Sequence, residues 1–166
     1  MSSLWRYLSV AIEIERKFLL NDDSWRDHVK KSVSMQQGYL GGDNCSTRIR
    51  VAGDEANINV KGKTMGISRQ EFEYSIPVTD AKEMLASFCS QSVCKIRHYV
   101  EHQGHLWEID EFSGENQGLL VAEIELKDEQ ERFSLPSWIG KEVSQEKRYF
   151  NVCLLDNPYR LWDEKV

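Results

Sequence analysis

EIERK, residues 13–17, sets Glu13, Glu15 and Lys17 at every second position, with Ile12, Ile14 and Phe18 in the alternate places. In an extended strand, alternate side chains share a face, so two carboxylates and an ammonium stand in one row and the apolar residues point the other way. Such a row suits a divalent cation and a phosphate oxygen. A solvated strand face has the same spacing, because charged side chains are mostly exposed. Recurrence of the pattern along the chain is what tells the two apart.

The pattern recurs in nearly every extended stretch. Arg48 and Arg50 alternate with Ile49 and Val51; Asn57, Asn59 and Lys61 with Ile58 and Val60; and Arg69, Glu71 and Glu73 with Phe72, Tyr74 and Ile76. Lys95 and Arg97 alternate with Cys94, Ile96 and His98, Glu108 and Asp110 with Trp107 and Ile109, and Glu123 and Glu125 with Ala122, Ile124 and Leu126. Strands are therefore predicted at 10–20, 34–40 and 68–77, and at 118–127. Hairpins are predicted across Gly53-Asp54-Glu55 and at Gly104, and a turn at 41–44. DDSWRDHVKKS (22–32) reads as a short helix and SLPSWIG (134–140) as one helical turn. TDAKEMLASFCS (79–90) has Thr79 as N-cap, with Ala81, Met84, Leu85 and Phe88 at helical spacing. NPYRLWDEKV closes the chain as a short helix or tail.

Composition bounds the function. At 166 residues and 40% hydrophobic content, the chain holds one domain with a sizeable core. A net charge of −6 argues against a nucleic-acid partner bound through a broad basic face, although Lys and Arg number 21 and fall in pairs. Apolar runs are only a few residues long, so neither a membrane span nor a secretory signal is expected. Cys45, Cys89, Cys94 and Cys153 are scattered rather than framed as disulfides. A cytoplasmic location is the expectation. The cysteines and His98, His102 and His105 lack zinc-site spacing, no serine has His and Asp at suggestive spacing, and no P-loop is present. The five tryptophans read as packing residues.

Two architectures satisfy the strand parity. In an open antiparallel sheet the charged face meets water; in a closed barrel it lines the interior, with the apolar face beneath the helices. Arginine pairs favour the second slightly, since the planar guanidinium fork suits phosphate oxygens. Parity alone leaves the choice open.

EIERKFLL, QGYL (37–40), TRIRV, NVKGK, SRQEFEYSIP, KIRHYV, WEIDEF, GLLVAEIEL and GKEVSQEKRYFN follow one another as in the CYTH superfamily, or triphosphate tunnel metalloenzymes. Over about residues 10–155 the chain resembles the short, single-domain bacterial members, with 1–9 as an N-terminal extension and 156–166 as a C-terminal tail or short helix. The resemblance implies an α+β, mainly antiparallel fold, an eight-stranded closed β-barrel with a few helices packed outside. It implies hydrolysis of a triphosphate, most simply inorganic tripolyphosphate, with Mg²⁺ or Mn²⁺ as cofactor. Thiamine triphosphatase and class IV adenylate cyclase belong to the same superfamily. A polyphosphate-binding module without turnover is the reading from another class. A small-molecule triphosphate is the implied partner, with no nucleic acid and no membrane, and a homodimer is compatible with this.

Carried over position by position, the resemblance implies Glu13, Glu15, Glu123 and Glu125 as metal residues. Lys17, Arg48, Arg50, Lys61, Lys95, Arg97 and Arg148 become substrate-binding residues, and Glu13, Glu15, Lys17 and Lys95 take part in catalysis. Glu71, Glu73, Glu108 and Asp110 are supporting acids. EKRYFN replaces the D-P-R-Y common in similar sequences, so Glu146 and Lys147 depart from the pattern. Crowded cations repel each other, so loss of Arg48 and Arg97 is expected to cost the empty protein little.

Overall fold

A computed structural model describes residues 11–41, 45–62 and 68–166. The N-terminal extension, and residues 42–44 of the expected turn, lie outside the described residues. Nine strands appear there: β1 (Ala11–Leu20), β2 (Val29–Leu40), β3 (Ser46–Ala52), β4 (Glu55–Lys61), β5 (Ser68–Ser75), β6 (Ser92–His102), β7 (His105–Phe112), β8 (Leu120–Glu125) and β9 (Ile139–Glu142). Helix α1 spans Val78–Phe88 and a short α2 spans Cys153–Asp156.

The strands form one antiparallel sheet in the order β5-β4-β3-β2-β6-β7-β8-β1-β9. β1 sits at the junction of that order. It pairs with β8 through Glu15↔Glu125 and Lys17↔Glu123, with β5 through Ala11↔Glu71 to Ile14↔Ser68, and with β9 at Phe18 and Leu20. Phe18 has a partner in both β8 and β9, so those two strands flank opposite edges of β1. The mainly antiparallel expectation holds, and β5 at one end of the order meets β1 near the other.

Burial decides which face is inside. Lys17, Arg48, Lys61, Lys95, Arg97 and Glu123 are all buried, and Asp110 is 0% exposed. A water-facing sheet would leave these side chains open. The apolar face is instead turned outward and covered in two places. Ile14, Phe18, Val100, Trp107, Ile109 and Ile124 pack under Trp25, Phe133 and Trp138. Ile49 and Ala56 pack under Ala81 and Leu85 of α1. Gly38 permits that second approach, because a Cβ there would lie 2.6 Å from the Cys89 Sγ and 2.8 Å from a Leu85 methyl.

A third cluster comes from inward-facing positions. Val93, Phe112 and Val121, with Leu19 beside them, pack against Tyr149, Leu154, Tyr159 and Trp162. These strand residues lie at the end of β1, the start of β6, the end of β7 and the start of β8, which antiparallel pairing brings to one end of the sheet. The C-terminal segment thus fills that end.

Several local expectations need correction. The 22–32 helix is a 3₁₀ turn at Ser24–His28, after which β2 already begins. Thr79 lies inside α1 with its hydroxyl on Asp80, and Pro77 holds the N-cap place. No helical turn occupies 134–140: the Ile139 N–H bonds the Pro136 carbonyl at 3.1 Å, and β9 follows. Of the two readings of the C-terminal residues, the short helix agrees with the 3₁₀ turn at Tyr159–Leu161, and Trp162 is buried. Both hairpins stand; Gln103 and Gly104 adopt φ of 46° and 82°, as a two-residue turn with left-handed residues demands. Among the described residues no helix is long and apolar enough to cross a membrane.

Candidate active site

Strand parity delivers the charged side chains to one cavity of about 400 Å³. Its lining includes Glu13, Glu15 and Lys17 from β1, Arg48 and Arg50 from β3, and Lys61 from β4. Glu71 and Glu73 come from β5, Arg97 from β6, Glu108 from β7, and Glu123 and Glu125 from β8. Twelve of the fifteen residues singled out from the sequence therefore meet here. Lys95, Asp110 and Arg148 are the three that do not line it.

Lys95 and Asp110 stand one layer behind. The Lys95 ammonium donates to Asp110 and lies 5.5 Å above the Phe112 ring. Burial, with the nearby Arg97 charge, pulls the Lys95 pKa down to about 8. Asp110 also accepts both Arg97 Nε and Nη2 at 2.7 Å, a bidentate grip that aims the guanidinium. Asp110 links Lys95 to Arg97, which lines the cavity.

Arg148 does not join the lining. It lies outside the cavity, 4.9 Å and 4.8 Å from the Tyr149 and Trp162 ring centroids, with Glu146 at 3.3 Å. Arg148→Ala is expected to cost roughly 1 kcal/mol of stability through lost cation–π packing. The Michaelis constant for a phosphate substrate should stay within about twofold, a margin below the ~1 kcal/mol at stake. A tenfold rise in it would restore Arg148 to the site.

Inside the cavity, cations and carboxylates are interlocked. Lys17 donates to Glu15 at 2.7 Å and to Glu123; Lys61 donates to Glu13 and has Glu71 at 3.3 Å. Arg97 reaches Glu123 at 2.6 Å and also Glu108. Burial alone would lower Lys17, but Glu123 and Glu15 outweigh it and hold the ammonium above its usual value. Burial likewise opposes ionisation of Glu123, yet Lys17, Arg97 and Lys95 hold it well below the usual carboxylate range. Glu15 is pushed up by burial and by the Glu123 charge, and Glu125 by burial and then by Glu13 and Glu71.

This donor set fits a hard divalent cation. The oxygen ligands are carboxylates, and Glu15 and Glu125 are held up by neighbouring negative charge that a cation would relieve. Among the described residues, no three acidic, histidine or cysteine side chains already converge as a complete shell. Phosphate oxygens or water would have to complete it, as is usual for Mg²⁺.

One wall of the cavity was not foreseen. Tyr39 and Ser46 line it from β2 and β3, and Ser144, Phe150, Asn151 and Val152 from the segment after β9. Ser144 is fixed by accepting the Lys17 N–H at 2.9 Å and donating to Glu142 at 2.7 Å. Tyr39 could have been found, since it follows Gln37 at the spacing of two that marks the inward face of β2. The Phe150–Val152 stretch lies outside any strand and carries no such period.

Comparison with known proteins agrees with this arrangement. The CYTH domain model matches residues 11–155. The chain is 46% identical over 154 residues to an inorganic triphosphatase of Acetivibrio thermocellus, covering 92% of this chain and 98% of that one. It is 35% identical over 147 residues to an inorganic triphosphatase of Nitrosomonas europaea, covering 86% and 95%. The crystal structure of the inorganic triphosphatase NE1496 superimposes with a TM-score of 0.63 at 33% identity, over 86% of this chain and 93% of that one. With a family model spanning its inward-facing charged strands from β1 to the end of the cavity wall, the chain belongs to the CYTH domain family.

Proposed function

We propose that the chain is a divalent-metal-dependent hydrolase of inorganic triphosphate. The observation that carries this is the cavity, where five cations (Lys17, Arg48, Arg50, Lys61 and Arg97) face carboxylates of β1 and β8 within one space. The relatives named as inorganic triphosphatases support the same substrate. Pairing of β5 with β1 supports reading the first eight strands as a closed barrel around that space. A linear triphosphate carries several negative charges, which the cations bind and align.

Glu13, Glu15, Glu123 and Glu125 would hold Mg²⁺ or Mn²⁺. When bound, the cation supplies Lewis acidity toward phosphate oxygens and a water of lowered pKa. The chain's own part is electrostatic. Lys17, seated between Glu15 and Glu123, exchanges one of these partners for a phosphate oxygen; Arg97, aimed by Asp110, neutralises charge developing on the transferred phosphoryl group. No protein nucleophile is needed.

The test is phosphate release from tripolyphosphate, pyrophosphate, ATP, thiamine triphosphate and long-chain polyphosphate, each with and without Mg²⁺ or Mn²⁺. Tripolyphosphate should be hydrolysed fastest and only with metal. Pyrophosphate should be poor, because it is too short to engage the acidic and basic groups together. Equal rates on pyrophosphate and tripolyphosphate would refute the length argument. Tight binding without release would make the chain a polyphosphate-binding module instead.

A further inference from the structure

We propose that the carboxamides Gln37, Asn57 and Asn59 are positioning residues that keep Arg48 and Arg50 the least neutralised cations of the cavity among the described residues. The inference rests on the phosphate-binding part of the reading above, in which Arg48 and Arg50 bind the substrate. In the sheet register, Arg50 lies between Gln37 and Asn57, while Arg48 lies between Tyr39 and Asn59. Neutral side chains flank both guanidiniums on both sides.

The charge inventory singles this pair out. Lys17, Lys61 and Arg97 each touch a carboxylate in direct contact. Among the described residues, Arg48 and Arg50 share one, Glu73, at 3.9 Å and 3.4 Å. That carboxylate is 46% exposed and is also bonded by the Asn59 amide at 3.1 Å. A buried Arg48 and a half-buried Arg50 sharing a single half-solvated carboxylate carry net positive charge in the cavity wall.

A second, independent observation lies in the hydrogen bonds. Gln37 Oε1, Arg48 Nε, Arg50 Nε, Asn57 Oδ1 and Asn59 Oδ1 are buried and have no hydrogen-bond partner among the described residues. Gln37 and Asn59 are 0% exposed. Buried polar groups are normally paired, so five unpaired ones on three adjacent strands indicate a surface completed by a ligand and its bound water. The Nε groups of Arg48 and Arg50, which line the cavity, offer donors to phosphate oxygens; Gln37, Asn57 and Asn59 flank them without lining it.

Carboxamides serve here because they have the shape of carboxylates without the charge. Directly opposite side chains on neighbouring strands lie within about 5.5 Å at Cβ, so an acid at position 57 would neutralise Arg50 and compete with the ligand. Asn57→Asp therefore isolates charge from shape. It should raise the Kd for tripolyphosphate, measured by calorimetry in EDTA, at least tenfold. The Michaelis constant with Mg²⁺ should rise in parallel, with kcat within threefold.

Asn57→Ala, which removes the amide without adding charge, should weaken binding clearly less than Asn57→Asp. Gln70→Glu adds the same charge on the exposed outward side of β5 and should leave both constants unchanged. If Asn57→Asp fails to fold, Ser75→Asp, at an exposed position next in register to Asn57, should weaken binding in the same direction by about threefold. Binding by Asn57→Asp within twofold of wild type, or equal losses in the Asp and Ala variants, overturns the inference. Wild-type binding without turnover would remove the hydrolase reading and leave this one standing; no wild-type binding would remove both.

Discussion

Arg97→Ala is expected to destabilise the protein by about 3–5 kcal/mol, while Arg48→Ala costs under ~1 kcal/mol, a contrast that inspection of the strand pattern alone does not suggest. Crowded cations in a row imply relief when one is removed. The structure reverses that for Arg97, which is buried and holds Asp110 through two nitrogens, Glu123 through a third contact, and Glu108. Removing it leaves Asp110 with Lys95 alone, and Glu123 with Lys17, inside a wall where an uncompensated carboxylate is expensive. Among the described residues Arg48 has Glu73 alone, at 3.9 Å. Thermal melts of the two variants should therefore separate by roughly 10 °C, given about 2–4 °C per kcal/mol for a chain of this size. Similar melts would mean that the Asp110–Arg97–Glu123 network carries no net stability. Tripolyphosphate should still raise the melting temperature of Arg97→Ala, but raise that of Arg48→Ala much less, because Arg48 belongs to the open anion pair.

The parity of charged residues was legible because period two survives wherever a strand is regular. EIERK, TRIRV and EIE at 123–125 reach the cavity as their spacing requires. Legibility fails where the backbone departs from that period. Residues 22–32 read as helical from an Asp or Ser cap and basic residues near the end, and the register shift between Val29 and Lys31 marks a bulge where β2 departs from strict alternation. β9 has only four residues and no alternation, so its sheet pairing with Phe18 and Leu20 has no signature in IGKE.

The candidate site was legible in the same uneven way. Lys95 and Asp110 share the inward parity of Arg97 and Glu108, but position along the strand, not parity, puts them behind the lining, next to Phe112 and the C-terminal cluster. Arg148 was assigned by motif resemblance in a segment with no strand period, and it rests on the rings of Tyr149 and Trp162 rather than on the cavity lining. Ser144, Phe150, Asn151 and Val152 enter the cavity only because the C-terminal segment folds back over one end, a tertiary fact that no local pattern records.

Glu125→Gln should abolish most hydrolysis, by about 100-fold or more, while leaving the fold intact or slightly more stable. The magnitude follows because even groups behind metal ligands are worth 10–100-fold, and Glu125 is assigned as a ligand itself. Glu125 faces the cavity in register with Glu15, and burial together with Glu13 and Glu71 raises its pKa above the ordinary carboxylate value. A carboxyl raised in the folded state binds its proton more tightly there than in the unfolded chain. Its ionisation therefore costs stability above the ordinary pKa, and that cost disappears as pH falls through the raised value. Gln carries no such cost, so the variant should match or exceed wild type at neutral pH, and wild type should gain on it as the solution is acidified. A divalent cation beside Glu125 would relieve the same repulsion. Mg²⁺ alone should thus raise the wild-type melting temperature more than that of Glu125→Gln. Equal Mg²⁺ shifts in both proteins, or wild-type turnover in the variant at ordinary Mg²⁺, would remove Glu125 from the metal set and return it to the supporting acids.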